Sequence, residues 1–385
     1  MFEAVLSSAV AIDAGSETIH FFTTQKSKAN GSKYEAESYR ANFLDGEFME
    51  KFAYILKVYR EKNTADQMQK VSFVLPDRLF FNDTLNIPTL NKRATQHLLK
   101  IAVESLYRNT DDLMTNNFLL TQNKQSSTYG MVGIRKEMIA KIREFCAANQ
   151  LSIGNITFAA NATVNAALVM NSKLRSASFV LLDIKETLTR LVFVVGGKTF
   201  GAYMLPFGTN LLSQMKPFPE DMLFDHAAAE LAVLNAEEKA QQRELTMAQI
   251  TVPAKKKKNS ANPALTLGLN GNPHKKAREL PAFMLRPAPT NKDECVFENF
   301  RTIMKWTLDI IDANSAITSV GAPEAVYVNM PDSYGFLFDM VNAEAEENKI
   351  TFAPLLPENT EPEIAENLEL FGALYVKQFN KYNNF

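Results

Sequence analysis

Cysteine and histidine are scarce in this chain, a charge excess of either sign is missing, and no long apolar run occurs. The two cysteines, Cys146 and Cys295, have no Cys or His partner at metal-ligand spacing, and the four histidines (His20, His97, His226 and His274) are scattered. That excludes a disulfide scaffold or a zinc centre and fits a reducing compartment. A formal net charge of -2 leaves no chain-wide basic footprint, so nucleic acid is not an expected partner. No window offers about 18 uncharged apolar residues, which argues against a transmembrane helix. The first 17 residues lack a basic n-region, and Glu3 and two serines break their apolar run, so they do not read as a secretory signal. A cytoplasmic protein is expected, with any membrane contact made through a partner.

What is present is apolar content: 46% of 385 residues, enough for two cores or one bilobed body. The first half alternates strand and helix signals. Residues 8–13 and 18–24 are short apolar or β-branched runs about a Gly-Ser turn, and 33–43 alternates as a half-buried strand does. A helical period covers 47–59. Residues 71–75 read as a buried strand ended by Pro76, and Pro88 marks 84–90 as an edge strand. Helices near 93–108 and 136–149 bracket strands near 118–120 and 128–134. The second half opens with strands again at 179–183, 188–195 and 199–205, with Gly196-Gly197 as a tight hairpin turn. Helices are expected at about 208–216, 221–242, 296–311, 334–345 and 363–379, and a strand at 325–328. The helical stripe Ile303-Trp306-Ile310 reads as core. Residues 251–294, with Lys255–Lys258, Lys275, Lys276 and Arg278, have no period and read as a flexible basic linker. Strands before helices in both halves indicate an α/β architecture.

Set side by side, AVAIDAGSETIHFF from Ala9 and FVLLDIKETLTRLVFV from Phe179 align Asp13 with Asp183. Each aspartate follows an apolar strand and precedes a turn into a second strand, the mark of an internal duplication. A corner of small residues lets backbone N–H groups approach phosphate oxygens. An aspartate there can orient Mg²⁺ through water. The first corner has the pieces: Asp13, Gly15, Ser16 and Thr18. The second has Lys185 where the first has Gly15, followed by Glu186 and Thr187. Lys185 could meet a phosphate as a point charge, whereas Glu186 would repel one.

The serial order of AIDAGSETIHFF, NDTLNIPTL, VGIRKEMIAKIREFCAANQLSIGNITFAANATVNAALV, SFVLLDIKETLTRLVFVVGGKTFGAYMLPFGTNLL and AENLELFGALYVKQF resembles the PilM-type proteins of type IV pilus assembly. These are relatives of the cell-division protein FtsA, and the resemblance spans most of 8–216 and 296–380. It implies a bilobed actin-like ATPase fold, ribonuclease H-like and duplicated, with a small α/β subdomain inserted in the first lobe. The first lobe would hold 1–81 and 154–175, and the small subdomain 82–153. The second lobe would hold 176–216 and 296–385, with 217–295 as its own insertion. ATP with Mg²⁺ would bind between the lobes through Asp13, Gly15, Ser16, Thr18, Asp183, Lys185 and Thr187, with Asp13 on the metal through water. A membrane-anchored PilN-type partner would dock its cytoplasmic peptide on the small subdomain, and self-association is possible. This would place the protein at the inner membrane through that partner.

Three departures from the family pattern bear on the nucleotide. The second corner carries Lys185-Glu186. No acidic residue stands near Ala160-Asn161, and no glycine pair stands at Asn329-Met330-Pro331. Weakened or lost nucleotide binding is therefore expected, and the expected functional surface is the edge strand 84–90, with Thr84, Leu85, Asn86, Ile87 and Leu90 as partner contacts. Two rivals remain: an FtsA-like division protein that polymerises at the membrane, and an active ATPase of the sugar-kinase and chaperone superfamily.

Overall fold

The computed structural model describes residues 8–13, 18–27, 31–40, 48–62, 70–107, 110–205, 208–212, 292–313, 323, 325–331, 334–335, 337–338, 351–357, 359–375 and 385. The chain begins with three antiparallel strands, β1 (Ser8–Asp13), β2 (Thr18–Ser27) and β3 (Gly31–Arg40). Helix α1 (Phe48–Lys62) then returns the chain to β4 (Lys70–Leu75), parallel to β1. A small unit follows, made of β5 (Phe80–Pro88), α2 (Lys92–Leu106), β6 (Leu113–Gln122) and β7 (Ser126–Arg135). Helix α3 (Lys136–Ala148), β8 (Ser152–Phe158) and α4 (Ala159–Met170) complete the first half.

The second half repeats the plan. Strands β9 (Phe179–Ile184), β10 (Thr189–Val195) and β11 (Lys198–Leu205) are antiparallel, and β12 (Ala325–Asn329) and β13 (Thr351–Pro354) run parallel to β9. Its described helices are α5 (Thr209–Leu212), α6 (Lys292–Ala313), α7 (Pro362–Glu366) and α8 (Leu368–Ala373). The two five-stranded sheets have the same order, β3-β2-β1-β4-β8 and β11-β10-β9-β12-β13. A shared order with the same parallel and antiparallel pattern is duplication at the level of topology, which ten aligned residues could only suggest.

The elements form for local reasons. Gly196 and Gly197 take φ of 54° and 71°, which a two-residue turn between right-twisted strands requires. Asn91 caps α2, accepting from the Ala94 amide. The inner strands β9 and β10 are buried along their whole length, as strands covered on both faces are. Trp306 is buried on α6, as its stripe predicts.

Several expected boundaries move. Helix α3, expected with the small subdomain, packs on the first sheet's side: Phe145 stacks on Phe52 of α1 at 4.4 Å, and Ile139 and Ile142 share that core. The expected limit at 153 falls inside β8. The last expected helix is two short ones that break at Asn367, and the second of them, α8, packs on α4 and the strands of the first sheet and not with the second lobe, where its place in the chain put it; β13 lies where no strand was expected. The basic linker's last residues, 292–294, are the first turn of α6, while 251–291 and the helices expected at 221–242 and over most of 334–345 lie outside the described residues.

The three-stranded sheet, order β5-β7-β6, is covered on both faces. Leu85, Ile87 and Met131 meet Leu99 and Val103 of α2. Phe80, Phe118, Val132 and Ile134 join the main core. Helix α4 is the centre of the molecule, buried from Ala159 to Leu168. Among the described residues, no helix is long and apolar enough to cross a membrane.

Candidate functional site

The two corners are unequal in register. Asp13 is the last residue of its ladder, opposite Thr18. Asp183 is one before the last, opposite Arg190, with Ile184 and Thr189 closing the ladder beyond it. Gly15 and Ser16 lie outside the described residues, as do the side chains of Asp13 and Thr18. The second corner is closed by the Lys185 amide donating to the Leu188 carbonyl at 2.9 Å. Its outward carbonyls are taken as well: Thr209 N–H donates to Lys185 at 2.8 Å and Asn210 N–H to Glu186 at 3.0 Å. This approach depends on Gly208, where a Cβ would stand 2.3 Å from the Lys185 oxygen. Thr187 and Glu186 face solvent, and Lys185 is half-buried with Nζ 3.7 Å from Asp183 Oδ1.

Behind this corner lies a cluster that sequence reading missed. Arg190 is the only charged side chain of β10 and is buried. Its Nη1 donates to Glu369 Oε2 at 2.8 Å and lies 3.2 Å from Asp183 Oδ2, and its Nε lies 3.3 Å from Asp77 Oδ2. Asp77 sits just past β4, where Pro76 ends the buried strand, and its Oδ1 accepts from the Ala160 amide at 2.8 Å. The position near Ala160 that lacks an acid in sequence therefore receives one in space. An acid at a helix N-terminus also meets the positive end of the helix dipole. Asn329, at the end of β12, donates from Nδ2 to Asp183 Oδ1 at 2.7 Å. Asp183 is thus fully buried, with Oδ1 taken by Asn329 and Lys185 close by, and with Oδ2 paired to Arg190 by charge at 3.2 Å without a hydrogen bond. Asn161 turns instead to Thr157, donating from Nδ2 to Oγ1 at 2.9 Å.

The charges respond to one another. Burial pushes the Asp77 carboxyl up, and the neighbouring Glu369 and Asp183 add to this; Arg190 and the Ala160 amide pull it down only in part, leaving it at about 6. Burial also works against charge on Glu369, but Arg190 and Lys185 outweigh it and bring that carboxyl down to about 2. Burial works against charge on Arg190 too, and the three carboxylates more than compensate, raising it above its ordinary value. The cluster is a guanidinium held among carboxylates, with Asp77 less able to keep its charge than Glu369.

The sequence left two signals. A single arginine interrupts the apolar run TRLVFVV, and an aspartate directly follows the strand-ending proline of VSFVLPD. A lone charge in a buried strand must find partners. Which partners it finds is not a local property.

The expected partner strand is also on view. Leu85 and Ile87 are buried under α2, Thr84 is half-buried, and Asn86 and Leu90 face solvent. Within the described residues β5 pairs with β7 alone, so it is an edge strand.

No family model and no curated protein matches the chain by sequence. Among solved structures, a "PilM-PilN type IV pilus biogenesis complex" is 12% identical, with a TM-score of 0.53 over 98% of this chain and 99% of that one. The chain has the bilobed actin-like fold. Lower similarity extends to the cytoplasmic domain of EpsL, an inner-membrane component of the type II secretion system of Vibrio cholerae (11% identity, 52% of this chain and 71% of that one, TM-score 0.36). A Bacteroides thetaiotaomicron protein of unknown function with an actin-like ATPase fold follows (9% identity, 63% and 87%, TM-score 0.31). β9 and β10 belong to the second five-stranded sheet. Asp77 follows β4 of the first, and α8 lies against α4 and strands of that first sheet. The Arg190 cluster therefore joins the two sheets.

Proposed function

We propose that this actin-like protein is a scaffold of a pilus- or secretion-type inner-membrane assembly platform. It docks a cytoplasmic peptide of a membrane-anchored PilN-type partner, and its nucleotide site is degenerate. The observation that carries this reading is the Arg190 cluster between the lobes. Asp183, the carboxylate best placed to serve a hydrated Mg²⁺ at the second corner, is fully buried and committed to Arg190, Asn329 and Lys185. The corner's outward carbonyls are covered by α5. The described half of the site does not fit Mg²⁺-ATP.

Two further observations support the adaptor half. The chain matches a chain of a PilM-PilN type IV pilus biogenesis complex along nearly its whole length, and β5, which among the described residues pairs with β7 alone, offers an edge where an extended peptide could add as a strand. Because Leu85 and Ile87 are spent on the small core, side-chain contacts would fall on Asn86 and Leu90. Binding can be read by fluorescence anisotropy with a peptide from the cytoplasmic segment of a PilN-type single-span protein. We expect saturable binding, weakened about tenfold by Leu90→Glu with the melting temperature unchanged. No binding by the wild-type chain would remove the docking model. A calorimetric titration giving micromolar affinity for Mg²⁺-ATP would remove the degenerate site.

A further inference from the structure

Arg190 draws on both lobes at once. One carboxylate, Asp183, faces it across its own β9–β10 ladder. The other two come from the opposite body: Asp77 from the end of β4, and Glu369 from α8, which lies against α4 and the first sheet. The side chains of Arg190, Asp77 and Asp183 are 5%, 6% and 0% exposed, and Glu369 is 12% exposed, so water screens these contacts little. Without Arg190, three carboxylates would converge between the lobes with Lys185, and His20 beside Glu369, as the remaining basic side chains the described residues bring near, and their repulsion would favour separation. A guanidinium stays charged at every working pH and can meet carboxylates from several directions. It therefore supplies, from within the chain, the positive charge that a cation-bearing ligand would otherwise bring to this cleft.

We infer that Arg190 is a built-in tie between the lobes, so that closure of this protein is set by its own side chains and is indifferent to Mg²⁺-ATP. The inference does not depend on which peptide, if any, docks at β5.

The competing view is that the cluster merely satisfies a buried arginine within the second lobe. The two views differ in what moves when the arginine is neutralised. A dye pair at Lys57→Cys on α1 and Met204→Cys on β11 reports the separation of the lobes. Both positions are exposed and both native cysteines are buried, so labelling is selective. In the labelled full chain we expect high transfer efficiency that millimolar Mg²⁺-ATP leaves unchanged. Arg190→Met, which keeps much of the length and loses the charge, should lower the efficiency and speed hydrogen exchange in α4 and α8 by at least about tenfold. Exchange in β9–β11 should change little. Arg190→Lys should fall between the two. Unchanged efficiency in Arg190→Met would overturn the tie, as would closure of either protein by Mg²⁺-ATP. If Arg190→Met does not fold, Glu369→Gln, which removes one crossing arm while Asp183 and Asp77 still hold the arginine, must show partial opening. Wild-type efficiency in that variant would equally overturn the inference.

Discussion

At the residue scale, Asp77 carries three relationships in one carboxylate: it receives the Ala160 amide, it meets Arg190, and it is repelled by two other acids. Its proton affinity turns this into a stability effect. A carboxyl raised from 3.8 to about 6 binds its proton more tightly in the folded chain than in the unfolded one. Folding is then favoured by this group at low pH, and the contribution is lost as pH rises from about 4 to about 6, by about 3 kcal/mol. Glu369 works in the other direction and lower down: its stabilisation is present above about 4.5 and is lost as pH falls towards about 2. Urea unfolding between pH 4.5 and 6 should therefore show stability falling with pH. Asp77→Asn keeps the acceptor for Ala160 and should flatten that slope. An unchanged slope in the variant would assign the titration to another group.

At the element scale, the decisive packing is α8 on α4. A Cβ at Gly372 would stand 1.8 Å from the Ala162 carbonyl oxygen, so the two helices meet backbone to backbone. Asn155 fixes the same place from β8, donating from Nδ2 to the Ala373 carbonyl at 3.0 Å and to Ser72 Oγ at 3.1 Å. Gly372→Ala has no flexible side chain to displace and should cost about 3 kcal/mol, read as a lower thermal midpoint. Gly201→Ala is the control, since its Cβ would meet Phe193 at an ordinary 3.6 Å. This scale also explains which expectations changed. Leu85 and Ile87 alternate along an edge strand in a way that suits either a peptide groove or a core, and only the position of α2 decides for the core. Helix α3 is amphipathic wherever it lies, and its place beside α1 comes from the stacking of Phe145 on Phe52.

At the scale of the whole molecule, two sheets of identical order share one central layer of α4 and α8, and the small three-stranded sheet leans on the same core through Phe80, Phe118, Val132 and Ile134. Lys198 of β11 adds a tie from the second lobe to that small sheet, donating from Nζ to the Leu119 carbonyl at 2.7 Å. Amides of α4, buried on every side, should exchange with solvent only through global unfolding. Those of α2, which covers only the small cluster of Leu85, Ile87, Leu99, Val103 and Met131, should exchange earlier by local opening. Equal protection of the two helices would show that the small unit opens only with the rest.

The sequence by itself determined the strands, the hairpins and the repeat, because alternation, apolar runs and turn residues act over a few neighbours. The hairpin at Gly196-Gly197 and the buried run of β9 are legible in that way, and so is the weak match of Asp13 with Asp183. It also showed that an acid is missing beside Ala160 and that Arg190 stands alone in an apolar strand. Only the tertiary structure decided that Asp77 takes the vacant place and that Asp77 and Glu369 both reach Arg190. Glu369 lies 179 residues along the chain from its arginine. A buried charge demands partners wherever it occurs, but the fold alone chooses them, by bringing distant strand ends to one point between the lobes.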